Sequence, residues 1–373
     1  MSNKVKKMIL KVTPDFVYQK YRNLKYNKFV DIYKGTKNFK KYSAMYKKVS
    51  VVVPNYNYEN YIEERIDSIL FQTYPIYELI ILDDKSTDNS VQKIEDIIKK
   101  HSEINIRFVK NEKNSGSVFS QWQKAFSLAN GDYVWICEAD DSCDSHFLEN
   151  VMKGFNDEEV VLSYAESMRI DEHNRIISPD CRDWMLAVSQ TKWNHSYINT
   201  GEDEIKEALA VCNTIPNVSA VVFKKANQID VIEEAKKFRI SGDWFVYYTL
   251  LANGKIAYCH KSLNYFRKHS KSTSTVASRE LEIKELLMIQ SDIRNKYQLT
   301  SEQIHKQSFR YGGIINETNH DFRREVDYMM AKKIAWIIPW PIKGSGGIRT
   351  MIQNANFLVK QGFECDIYVE EDY

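Results

Sequence analysis

Tyr133-Val134-Trp135-Ile136-Cys137-Glu138-Ala139-Asp140-Asp141 is an unbroken apolar run that ends in three carboxylates within four residues. Five apolar residues without alternation read as a strand buried on both faces, the mark of a parallel sheet covered by helices. In such sheets ligands bind off the carboxyl ends of the strands. Acids this close repel one another and stay ionised together when a cation sits among them, so a divalent metal holding a diphosphate is one reading. The other is an acidic loop ahead of a helix beginning near Ser145, where negative charge is favourable without any ligand.

The segments upstream repeat the pattern. Val49-Ser50-Val51-Val52-Val53 is a β-branched run closed by the turn Pro54-Asn55-Tyr56-Asn57. Residues 61–71 carry Ile62, Ile66, Ile69 and Leu70 at helical spacing. Glu78-Leu79-Ile80-Ile81-Leu82 is a second strand that also ends in acids, Asp83-Asp84, and Thr87-Asp88-Asn89 caps a helix over 91–98. A third strand is expected over 104–109 and a helix over 119–128, stopped by Asn130-Gly131. This βαβαβαβ order predicts an α/β fold with a parallel sheet wound by helices. Two strands then deliver acids to one edge.

Together the segment 49–57, Leu82-Asp83-Asp84-Lys85-Ser86-Thr87-Asp88 and the segment 131–141 resemble the inverting family 2 glycosyltransferases of the GT-A fold, over roughly residues 49–275. The resemblance implies a nucleotide-binding parallel or mixed sheet flanked by helices, with helical N- and C-terminal extensions. It implies that Pro54, Asn55, Tyr56 and Asp84, with Asp83 beside it, hold the nucleoside of a nucleotide-sugar donor. A carboxylate suits uracil or thymine, whose imide N–H is a donor, so a UDP- or dTDP-sugar is expected. Glu138, Asp140 and Asp141 correspond to the acids that bind Mn2+ or Mg2+ across the diphosphate, with Glu138 where Asp is more usual. In Ile240-Ser241-Gly242-Asp243-Trp244, Asp243 matches the family's catalytic base, and Gly242 replaces the usual Glu. Asp is also a favoured N-cap, which is the competing reading for a residue ahead of the apolar helix 245–251. Arg267 and His269 match an Arg-x-His segment that closes over the donor and meets phosphate or metal, helped by Lys271, Ser272 and Ser274. Trp184, Trp193, His195 and Tyr197 lie in the expected acceptor region, where aromatics stack on sugars or fill a core, and a strand is expected over 217–223.

Charge divides the chain. Residues 1–49 hold 14 Lys or Arg against Asp15 and Asp31, a net of +12, so the rest carries −10 of the overall +2. The basic arm, residues 1–48, is interleaved with Phe16, Tyr18, Tyr21, Tyr26 and Phe29, which fits an anionic membrane surface; packing on the catalytic domain is the alternative. No nucleic acid is expected as a partner, because no nucleic-acid motif is present and the remainder is acidic. Six scattered cysteines without paired spacing, and no apolar run near the ~20 residues of a membrane span, point to a cytoplasmic protein, peripheral on the inner face of the membrane.

Residues 276–331 read as a helical linker with an amphipathic helix around 281–293. Residues 332–373 read as βαβ: strands at 334–338 and 365–369, a Gly344-Ser345-Gly346-Gly347 turn and a helix over 348–360, resembling the opening of a GT-B glycosyltransferase. Forty residues do not complete such a domain, so the chain is expected to be a piece of a longer two-enzyme protein. One sugar per acceptor, a glycan or lipid-linked glycan for capsule, O-antigen or another wall polysaccharide, is the expected activity. A sugar-nucleotide pyrophosphorylase and a non-catalytic nucleotide-sugar-binding module are the alternatives. The first is disfavoured by the glycine-free turn at Pro54-Asn55-Tyr56-Asn57.

Overall fold

β1 (Val49–Asn55) is buried along its whole length. It is followed by α1 (Ile62–Leu70), β2 (Glu78–Asp83), α2 (Ser90–Lys100), β3 (Ile106–Lys110), α3 (Val118–Leu128) and β4 (Tyr133–Ile136). The computed structural model describes residues 46–102, 104–225, 229–270, 279–307, 333–338 and 364–369. The arm through residue 45, Lys271, Ser272, Ser274 and the expected turn and helix at 344–360 lie outside the described residues.

β1 pairs in parallel with β2 on one side and β4 on the other, and β2 pairs in parallel with β3. The runs of β1, β2 and β4 are buried on both faces because α1 and its neighbours cover the sheet; Ile62, Ile66, Ile69 and Leu70 of α1 are all in the core. Each wholly buried valine of β1 contributes about 1.5–3 kcal/mol relative to exposure. Gly131 lets the chain enter β4, since a Cβ there would lie 2.7 Å from the Lys48 carbonyl. Its N–H donates to Ser50 Oγ, whose own hydroxyl donates to buried Glu78, so the acid that opens β2 is a structural acceptor.

Beyond β4 the sheet becomes mixed. The later elements are β5 (Ser142–Cys143), α4 (Phe147–Met152), β6 (Val160–Ile170), β7 (Ile176–Ser178), β8 (Tyr197–Thr200), α5 (Gly201–Glu204), β9 (Val221–Lys224), α6 (Ile229–Ala235), α7 (Gly242–Leu251) and β10 (Lys255–Arg267). Among the described residues ten strands make one sheet in the order β3-β2-β1-β4-β9-β6-β10-β5, with β7 on β6 and β8 on β10. β9 runs antiparallel to both β4 and β6, whereas β6 and β10 are parallel. The strand expected over 217–223 starts only at Val221. Val218–Ala220 is a 3-10 turn, because the Asn217 and Ser219 side chains bend toward Asp141. Trp193 is core: 2% exposed, with its N–H donated to the Tyr164 hydroxyl.

Residues 1–276 form one compact unit and 277–373 another. The second contains α8 (Arg279–Lys296) and the parallel pair β11 (Lys333–Ile338) and β12 (Glu364–Val369). Among the described residues no helix is long and apolar enough to cross a membrane.

Candidate active site

The loops leaving β1 and β2 are bolted together. Asn55 Nδ2 donates to Asp83 Oδ2 (2.8 Å) and to Ser86 Oγ (3.1 Å), while the Ser86 N–H donates to Asp83 Oδ1 (2.9 Å). Asp83, only 1% exposed, therefore ties the two exits together beside Asp84. Asn57 and Lys85 take left-handed backbone (φ 59° and 68°), a conformation non-glycine residues rarely adopt outside tight functional turns. Asp84 accepts from Asn111 Nδ2 (2.6 Å), the Ser115 N–H (2.9 Å) and the Ser115 hydroxyl (2.7 Å). Thus held, it lines a cleft of about 530 Å3 with Pro54, Asn55 and Tyr56, opposite Ser117, Val118 and Gln121 around the start of α3.

The acidic loop after β4 divides into a floor and a rim. Asp141, 1% exposed, is the floor: Oδ2 accepts from Asn217 Nδ2 (2.9 Å) and the Ser219 hydroxyl (2.6 Å), and Oδ1 accepts from the Arg267 N–H (2.9 Å). Burial, then Asp140, push its pKa up; Arg65, Ser219 and the Arg267 N–H pull it back. Arg65 is wholly buried with its guanidinium over the Trp135 ring (5.3 Å).

Arg267 also turns inward. Nε donates to the Asp140 carbonyl (2.6 Å), Nη1 to the Asp171 carbonyl (3.0 Å) and Asn174 Oδ1 (2.5 Å), and Nη2 to Glu64 (3.0 Å). At 1% exposure its guanidinium braces the acidic loop. The rim is Glu138 and Asp140. Asp140 Oδ2 meets His269 Nε2 at 2.9 Å, and the Tyr58 phenol lies near enough to feel the Asp140 charge. Burial first, then Asp140, Glu138 and Asp141, raise the Tyr58 phenol well above its ordinary value, so it stays a neutral donor. Glu138 is half-buried; desolvation, then Asp140 and Asp141, push its carboxyl up to about 8.

Asp243 faces this rim. A second cleft of about 190 Å3 is lined by Glu138, Asp140, Asp141 and Asp243 together with Trp122 and Arg239. It shares Tyr58, Val118, Glu138 and Arg239 with the first, so the base-side and acid-side clefts adjoin. Asp243 lies in the first turn of α7, whose N-cap is Ser241, so it is not the N-cap. Its Oδ1 accepts from the Trp244 N–H (2.7 Å) and its Oδ2 from Asn213 Nδ2 (3.3 Å). Gly242 has a steric cause: a Cβ would strike the Phe119 ring and lie 2.9 Å from the Ala235 carbonyl, leaving no room for the family's usual Glu.

Among the described residues no three His, Cys, Asp or Glu side chains converge as a metal site. Of the expected ligands Glu138, Asp140, Asp141 and His269, Asp141 accepts from Asn217, Ser219 and the Arg267 N–H, and His269 is a partner of Asp140. The acids that fit a hard cation are Glu138 and Asp140. Burial first, and then the neighbouring charges of Asp140 and Asp141, raise the Glu138 carboxyl; the second part of that cost is the part a divalent ion would offset. Sequence reasoning missed Tyr58, Asn217, Ser219, the Asn114–Val118 turn and Arg239. Gly116, at φ 67°, marked that turn, whereas nothing local distinguishes Arg239 from any exposed arginine.

A parallel half-sheet whose acid-bearing strand ends open on adjoining clefts, extended by antiparallel and mixed strands, defines a GT-A glycosyltransferase. Residues 50–214 match the family model for glycosyl transferase family 2, so the chain carries a family 2 glycosyltransferase domain over that stretch. It is 26% identical over 346 residues to glycosyltransferase alr2836 of Nostoc sp., covering 87% of this chain and 98% of that protein. It is also similar to TarS of Staphylococcus aureus, a poly(ribitol-phosphate) beta-N-acetylglucosaminyltransferase: 34% identical over 105 residues, 28% of this chain but 18% of that one. The structure of TarS 1–349 in complex with UDP-GlcNAc superposes with a TM-score of 0.55 at 19% identity, over 76% of this chain and 84% of that one. The mannosyltransferase PcManGT of Pyrobaculum calidifontis, in complex with GDP-Man and Mn2+, gives a TM-score of 0.52 at 16% identity, over 90% and 89%.

Proposed function

We propose that this glycosyltransferase moves one sugar, with inversion, from a nucleotide-sugar to a hydroxyl of a glycan or lipid-linked glycan acceptor in surface polysaccharide synthesis. The observation that carries the reading is the continuity of two clefts, one walled by Pro54, Asn55, Tyr56 and Asp84 and the other by Glu138, Asp140 and Asp243. In this reading the nucleoside occupies the first cleft and the donor sugar the second. Asp243 takes the acceptor hydroxyl's proton as the new bond forms at the anomeric carbon and the bond to the diphosphate breaks. Glu138 and Asp140 would hold Mn2+ or Mg2+, which when bound offsets charge on the departing diphosphate. Tyr58 and His269 then position Asp140, and Arg267 and Asp141 keep the loop rigid from below.

The named relatives support this. TarS is a poly(ribitol-phosphate) beta-N-acetylglucosaminyltransferase, and the two structural neighbours hold UDP-GlcNAc and GDP-Man, so the base is to be tested across both classes. An anionic membrane surface on the inner face of the membrane remains our proposal for the basic arm, and a GT-B-like second domain for residues 332–373.

Incubation with a panel of UDP-, dTDP- and GDP-sugars plus Mn2+ is expected to release nucleoside diphosphate slowly from one donor class, and EDTA is expected to suppress it. Nucleoside triphosphate formed only on adding pyrophosphate would identify a pyrophosphorylase instead. Binding without turnover on any donor or acceptor would leave a binding module.

A further inference from the structure

We infer that Arg239 is the cation that receives the donor's diphosphate, an inference that rests on the transferase reading above. A nucleoside diphosphate brings negative charge into the site, and transfer adds more to the leaving group, so a fixed cation near the phosphates belongs to such chemistry. The arginine that the sequence pattern offered for this task is consumed elsewhere: all three guanidinium nitrogens of Arg267 donate to protein acceptors at 1% exposure. Arg239 lies in the bend between α6 and α7, four residues before Asp243, and is exposed. It lines both the nucleoside-side cleft and the acid-side cleft, and among the described residues lining those two it is the one Lys or Arg.

Position makes the assignment specific. With a nucleoside beside Asp84 and a sugar beside Asp243, the diphosphate must cross where the clefts meet. Tyr58, Val118, Glu138 and Arg239 form that junction. Lys236 and Lys237 stand close by in sequence but line only an outer groove of about 240 Å3. Arg239 lines that groove as well, so it sits where all three spaces meet. A guanidinium there presents two parallel N–H donors to phosphate oxygens, a geometry that lysine reproduces only as a point charge.

The test compares nucleotide with nucleoside binding to the full chain by calorimetry in EDTA, with UDP against uridine and GDP against guanosine, so that no metal contributes. Arg239→Gln is expected to weaken the preferred diphosphate about 10- to 100-fold while leaving its nucleoside within about twofold, the loss of a hydrogen bond to a charged group. Arg239→Lys should restore part of that loss, and Lys236→Gln should change it less than about twofold, as an outer-groove charge would. Unchanged diphosphate affinity in Arg239→Gln, or equal weakening of diphosphate and nucleoside, would overturn the assignment while leaving the transferase reading intact. A wild-type chain that binds neither diphosphate, in EDTA or with Mn2+ restored, would overturn both.

Discussion

Asp140 and Asp141 are adjacent in the chain and opposite in circumstance. Asp141 belongs to a floor with Arg267, Asn217 and Ser219, where every partner is protein and exposure is near zero. Asp140 belongs to a rim with Glu138, Asp243 and Arg239, which lines open space. The same functional group thus holds the loop in one place and, one residue later, pairs with His269 at the edge of the cleft. Hydrogen-bond saturation, rather than the presence of a carboxylate, separates structure from chemistry here.

The sharpest way to break this contrast is at the floor. Asp141→Ala strands the Asn217 amide, the Ser219 hydroxyl and the Arg267 N–H without their acceptor, each a buried group. Chemical denaturation is expected to show a loss of about 3–5 kcal/mol, within what unmade buried hydrogen bonds cost. Wild-type stability in that variant would make Asp141 a rim residue after all.

At the rim the expectation reverses. Asp243→Asn keeps side-chain volume, so stability should stay within about 1 kcal/mol of wild type while kcat falls about 10^2- to 10^4-fold with nucleotide affinity nearly preserved. A fall in donor binding with kcat intact would reassign Asp243 to holding the donor.

Glu138 sharpens the contrast through pH. Its folded pKa is raised to about 8 from 4.5, so the folded state holds this proton more tightly than the unfolded chain. The associated stability is present below pH 4.5 and is lost as pH rises through 8. Glu138→Gln should remove that slope, flattening Tm against pH in EDTA by on the order of 1–2 kcal/mol across the window once solvent screening of a half-buried group is allowed for. An unchanged slope would place the titration elsewhere.

The parallel half of the sheet was legible in the sequence because its cause is local. β-branched runs such as Val51-Val52-Val53, helical spacing in residues 61–71 and turn residues at strand exits act over a few positions. The acids at the ends of β2 and β4 were legible for the same reason, whereas Asp243 stood out only through the family resemblance, its local pattern reading equally as a helix cap. The mixed half was less so. The 3-10 turn at Val218–Ala220 exists because Asn217 and Ser219 answer to a carboxylate 76 and 78 residues away.

The sequence by itself determined that acids would stand at the carboxyl edge of a helix-covered sheet. It also carried the family, whose motifs lie in order along one stretch. Tertiary structure alone decided which acids remain available. Asp83 and Asp141 were drawn into bonds with distant partners, Asp141 with a backbone N–H 126 positions on. It likewise turned Arg267 inward and left Arg239 at the meeting of the clefts. The physical reason is that burial makes unmet hydrogen bonds costly, so each polar group's fate depends on which neighbours the fold brings within about 3 Å, and those neighbours are remote in the chain.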